Sequence, residues 1–179
     1  MVRRLVVDHL KITYEGLFSV TDLYQAVDNF FREKGFDKRE VRNAEYIKPE
    51  GKYIEIEMMP WKKVSDYARH VIRVDMKMFR IKEVIVAQDG HKVKLNKGRI
   101  NVIIDGFLDT DYEGRWETRP AFVFLRTVFD KFIYKTNVGE AEGLLVENVN
   151  QVHGMVKAML NLYRYQSLQA PTSGQAWHP

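Results

Sequence analysis

The chain has no cysteine among its 179 residues, and that absence removes disulfides, thiolate zinc sites, iron–sulfur clusters and cysteine nucleophiles together. No apolar run approaches the roughly 20 residues that span a bilayer. The first residues are not a signal peptide, because Asp8 and His9 cut off Leu5, Val6 and Val7. The expectation is therefore a cytoplasmic protein. Phosphate-binding glycine loops, a nucleophile elbow and paired histidines at helical metal spacing are also missing. His9, His70, His91, His153 and His178 are scattered one per segment, which reads as surface or capping histidines. Together these absences predict a protein that is not an enzyme using covalent, metal or dinucleotide chemistry, and that carries no cofactor.

What is present fits a soluble globule, with 45% hydrophobic and 29% charged residues. A chain of this length suits one domain that buries about 70% of its unfolded surface. Lys+Arg 28 against Asp+Glu 24 leaves a formal charge of only +4. That permits a polyanionic partner without requiring one.

The segment from Tyr67 to Asp111 is the predicted spine. Ile72, Val74, Met76 and Met78 alternate with Val71, Arg73, Asp75 and Lys77, the period of a strand with one buried face. A second run, Ile81 to Ala87, leads to Asp89-Gly90, a hairpin signal. Val93 and Leu95 follow, Asn96-Lys97-Gly98 reads as another turn, and Ile100, Val102 and Ile104 return the chain. An antiparallel meander results. Before it lie a strand over Val2 to Tyr14, a helix capped by Ser19 and stopped by Gly35, and a hairpin turning at Lys48-Pro49-Glu50-Gly51. Pro60 breaks that hairpin's second arm, and Trp61 to Asp66 read as a connection.

After the meander the pattern becomes helical. Phe122, Leu125, Phe129, Phe132 and Ile133 predict an extra helix from Pro120 to Lys135. A long helix from Asn137 to Tyr165 follows, with Leu145, Val149, Val152, Val156, Met159 and Tyr163 on a heptad seam. That seam fits a helix lying on a sheet, or alternatively a dimerising coiled coil. Residues 1–166 are thus read as one α+β domain, and 167–179 as a disordered tail.

Three local patterns bear on function. Asp109, Asp111, Glu113 and Gly114 copy the first half of an EF-hand loop, but its closing glutamate position is Pro120, so an acidic loop is the expectation. Lys92, Lys94, Lys97 and Arg99 concentrate positive charge in one hairpin, a candidate RNA- or ribonucleoprotein-binding ribbon without aromatics of its own. Met58, Met76 and Met78, with Val152 and Met159 of the long helix, are candidate lining residues for an apolar cavity, since methionine suits adaptable apolar surfaces. The leading expectation is a binding protein holding an apolar or lipid-like small molecule between sheet and helix. Nucleic-acid binding and helix-mediated dimerisation are its alternatives.

The order strand, helix, several antiparallel strands, long C-terminal helix resembles that of the START-like helix-grip superfamily over Val2 to Tyr165. The resemblance implies a curved sheet wrapped on the terminal helix around an apolar cavity. It rests on element order, with no motif residue to carry across. The single helix after the first strand and the helix from Pro120 depart from the family's usual pattern.

Overall fold

The computed structural model describes residues 1–88, 91–110, 112 and 134–169. Its elements are β1 (Val2–Phe18), α1 (Val20–Glu33), β2 (Glu40–Lys48), β3 (Gly51–Met58), β4 (Trp61–Lys63), β5 (Ala68–Gln88), β6 (His91–Thr110) and α2 (Tyr134–Gln169). The strands form one six-stranded antiparallel sheet in the order β1-β6-β5-β3-β2, with β4 paired to the start of β5. The α+β class with a C-terminal helix on an antiparallel sheet is as the sequence predicts.

The meander takes a simpler form than its turn signals suggest. β5 and β6 are each one long strand where the sequence predicts two shorter ones, and Asn96-Lys97-Gly98 lies in mid-strand. The glycine answers a packing demand rather than a turn. β5 bulges between Phe79 and Lys82, with Arg80 at φ 56°, and this brings the bulge against β6. A Cβ on Gly98 would lie 2.5 Å from Ile81 Cδ1 and 2.8 Å from the Phe79 carbonyl oxygen. Trp61 to Lys63, expected as connection, form β4. The blurred alternation of β1 also has a cause, since its register shifts on both sides of Val7 and His9 adopts φ 52°.

One face of the sheet is the core. Ile72, Val74, Met76 and Met78 of β5 and Ile100, Val102 and Ile104 of β6 are wholly buried, and α2 lies over them. The buried residues of α2 are Ala141, Leu145, Val149, Val152, Val156 and Leu160, spaced four, four, three, four, four. Leu160 therefore takes the position that strict heptad spacing gives to Met159. A straight helix at 3.6 residues per turn drifts off a 3.5-residue seam, and Met159 and Tyr163 sit half-buried at its margin. The seam thus faces the sheet.

α1 closes one end of this core with Leu23, Val27 and Phe31. Ser19 Oγ caps it by accepting the Asp22 N–H at 3.1 Å. The Tyr163 hydroxyl donates to Asp22 Oδ2 at 3.0 Å, joining α2 to the start of α1. Burial and then that hydrogen bond push the Tyr163 phenol up to about 12. His70, expected at the surface, is instead buried in β5 with Nε2 2.7 Å from the Ala141 carbonyl oxygen. It fastens the start of α2 to the sheet.

Several expectations fall outside the described residues: the Asp89-Gly90 turn, Asp111, Glu113 and Gly114 of the acidic loop, the helix from Pro120 apart from Tyr134 and Lys135, which open α2, and residues 170–179. Ser167 to Gln169 continue α2 rather than opening a tail.

Candidate nucleic-acid interface

The five residues proposed to line an apolar cavity do come together. Met58, Met76, Met78 and Val152 are no more than 2% exposed within one core cluster, with Met159 at its edge. A side chain with no accessible surface lines no space that admits even water. Of the five, only Met58 borders one of the three grooves described here, about 200 Å³ beside Phe31, Phe36 and Pro60. None of these three, among the described residues, is lined by Met76, Met78 or α2.

The opposite face of the sheet is polar, and its two ends differ. At the end formed by the start of β1 and the end of β6, Asp109 is fully buried between two guanidinium groups. Arg3 donates through Nε at 2.6 Å and Nη2 at 2.8 Å, and Arg69 through Nε at 3.1 Å. Burial pushes the Asp109 carboxyl up, but Arg3 and Arg69 together hold it below its ordinary value. Asp109 is therefore a structural anion, and the calcium half-pattern that begins with it loses its first ligand to arginine.

Next along β6, Asp105 accepts from Arg73 Nη2 at 2.5 Å and from the His9 backbone N–H at 2.7 Å. Asp8, His9 and Asp105 would otherwise place three metal-ligand atoms together. Arg73 binds the other oxygen of Asp105, Oδ2, through Nε at 2.8 Å and Nη2, so this carboxylate already carries an ion pair. Hydrogen bonding to Asp8, and then the charge of Asp105, also raise the His9 pKa.

The other end of this face is built differently. The hairpin of β2 and β3 pairs Tyr46 with Tyr53, and β5 brings Phe79 alongside. Ring centroids stand 5.9 Å apart for Tyr46–Tyr53 and 5.2 Å for Tyr53–Phe79, making an aromatic row across three strands. Phe79 is in register with Arg99 of β6. Lys48 Nζ lies 5.1 Å from the Tyr53 ring centre. Gly51 allows β3 to approach the β5 bulge, since a Cβ there would be 2.9 Å from the Arg80 carbonyl carbon. Its φ of 132° independently favours glycine. The groove so formed holds about 320 Å³ and is lined by Tyr53, Phe79, Lys48, Arg80, Arg99 and Asn101, with Glu50 and Gly51 at the turn.

Register adds more charge. Lys82 of β5 sits directly opposite Lys97 of β6, and alternation along β6 puts Lys97 on the same face as Arg99. Like charges opposed across strands destabilise a sheet. Among the described residues, no ion pair joins Lys48, Lys82, Lys97 or Arg99 to a carboxylate. Arg80 meets Glu15 at 3.4 Å with both side chains more than half exposed, a pairing that screens little.

The structure therefore divides the basic ribbon. Lys97 and Arg99 join the aromatic row, while Lys92 and Lys94 project from the other face of β6, and Lys94 is paired with Glu83 at 2.6 Å. The aromatics lacking in the ribbon arrive from β2, β3 and β5. Sequence reasoning missed Tyr46, Tyr53, Phe79, Lys48, Arg80 and Lys82; the available signal was that Tyr46 and Tyr53 flank the Lys48-Pro49-Glu50-Gly51 turn symmetrically. Comparison of the chain with protein-family models, with curated proteins and with solved structures finds no match.

Proposed function

We propose that the chain binds single-stranded nucleic acid across the outer face of its sheet, with bases stacked on Tyr46, Tyr53 and Phe79 and phosphates met by Lys48, Arg80, Lys82, Lys97 and Arg99. The observation that carries this reading is the aromatic row set directly beside Lys48, Lys82, Lys97 and Arg99, which no carboxylate pairs among the described residues, with Arg80 in an exposed pairing to Glu15. Every base offers a π-face, so stacking on such a row tolerates sequence, and a positive groove tracks the backbone. A duplex hides its base faces and is expected to compete poorly.

Against the apolar-ligand alternative stands the zero exposure of Met76, Met78 and Val152, since a ligand there would have to part sheet from helix. The element order and the long C-terminal helix across the inner face support a helix-grip reading of the architecture. That likeness of fold leaves function to the site.

The test is fluorescence anisotropy with a labelled single-stranded RNA oligonucleotide, in parallel with DNA of the same sequence and with duplex. Stacking contributes about 1–3 kcal/mol per base, so Tyr53→Ala with Phe79→Ala is expected to weaken binding at least tenfold without lowering the melting temperature appreciably. Retention of full affinity by that double variant, or equal affinity for duplex, would sink the proposal.

A further inference from the structure

Among the described residues no strand pairs with the outer edge of β1 or of β2, and these two edges are protected unequally. The free edge of β1 is interrupted by the register shifts around Val7 and the left-handed His9, a form of irregularity that discourages further pairing. β2 has one shift, between Glu40 and Arg42, and then runs regularly from Arg42 to Lys48. It contains no proline, and Val41 and Ile47 on it are 48% and 86% exposed.

The turn phase fixes which groups are available. Lys48 and Gly51 close the hairpin, so alternate residues back from Lys48 direct their N–H and C=O to β3. Asn43, Glu45 and Ile47 direct theirs to the free edge. A strand added there must therefore place odd-numbered residues in hydrogen-bonded pairs.

We infer that β2 pairs antiparallel with β2 of a second copy about a two-fold axis at Ala44, extending the sheet through the dimer. The sequence of the strand is self-complementary in that register. Within the regular stretch Arg42 faces the partner's Tyr46 and Asn43 faces the partner's Glu45, and the register shift before Arg42 ends the pairing there. An amide meets a carboxylate, and a guanidinium lies beside an aromatic ring. Moving the axis to Glu45 would oppose Glu45 to its own copy and Arg42 to Lys48, both like-charged. The pairing buries less than the standard interface of about 1,600 Å², so the dimer is concentration-dependent. It sets the two aromatic rows on one continuous outer face.

The pairing brings Arg42 beside the partner's Tyr46, one of the base-stacking rings of the proposed function, but its test is separate, because cross-linking reports the edge whereas oligonucleotide binding reports the face. Since the protein lacks cysteine, single cysteines can be placed at will. In this register Ala44 lies at a non-hydrogen-bonded pair, where Cα atoms approach to about 4.5 Å, within disulfide range. The two copies of position 47 are about 20 Å apart. Mild oxidation of Ala44→Cys is expected to give covalent dimer, with little from the more exposed Ile47→Cys. Asn43→Pro, which removes a donor from the free edge and none from the β3 ladder, is expected to sediment as monomer where the parent shows dimer. Equal cross-linking at both positions, none at Ala44→Cys, or cross-linking of Ala44→Cys only to foreign protein would overturn the inference.

Discussion

The two ends of the outer sheet face have opposite electrostatics although one set of strands builds both. At the Asp109 end each buried carboxylate is matched by guanidinium groups at hydrogen-bond distance. At the Phe79 end Lys82 and Lys97 are opposed in register, and Arg80, Arg99 and Lys48 ring a groove where, among the described residues, the acids are Glu50 in the lining and Glu15 paired to Arg80 beside it. The first arrangement is closed, since every charge serves the fold. The second leaves charge for something outside the chain. The net charge of +4 conceals this, because a balanced region and an unbalanced one average to a weak total.

The comparison breaks most forcefully at Asp109. Asp109→Ala leaves Arg3 and Arg69 without their shared buried anion, and removing one partner of a buried pair costs about 3–5 kcal/mol. A value toward the lower end is expected, because Arg3 and Arg69 are partly exposed. Chemical denaturation should show that loss while oligonucleotide affinity of the folded protein stays within about twofold, the reverse of the Tyr53→Ala Phe79→Ala outcome. If Asp109→Ala weakened binding and spared stability, the division of the face would be wrong.

A smaller effect comes from pH. Burial depresses the His70 pKa, with Lys62 adding to the effect and the hydrogen bond to Ala141 opposing it. A histidine with a folded pKa below its unfolded value of about 6.5 leaves stability complete above that pH and removes it as pH falls through the window below. Asp109, also depressed, acts in a separate and more acid window that opens below about 3.9. His9, whose pKa is raised, acts with the opposite sign in both proteins, so between pH 7.5 and 5.5 the melting temperature of the parent should fall relative to that of His70→Gln. Parallel curves for the two proteins would remove His70 from the account.

Much of the fold was legible because period-two alternation in β5 and β6 and helical spacing in α2 are each set by one buried face. Three features were not. The Asn96-Lys97-Gly98 stretch looks like a turn because glycine marks both turns and close approaches, and only the neighbouring strand's bulge at Arg80 tells them apart. The buried His70 depends on where α2 begins, which no local pattern reports. The aromatic row joins residues from β2, β3 and β5, and strand order, unlike strand position, is a property of the whole sheet. Lys97 and Arg99 were found from composition. Lys92 and Lys94 were grouped with them because four cations in one ribbon look alike until alternation assigns them to faces.

Salt dependence tests the central claim most directly. The logarithm of single-strand affinity falls with the logarithm of salt by about 0.7 for each phosphate neutralised, so a groove using most of its cations should give a slope of about −3. Lys97→Ala should make that slope shallower by about 0.7, and Lys94→Ala, on the other face and paired with Glu83, should leave it unchanged. A parent slope near zero, or equal loss of slope from both variants, would contradict the account.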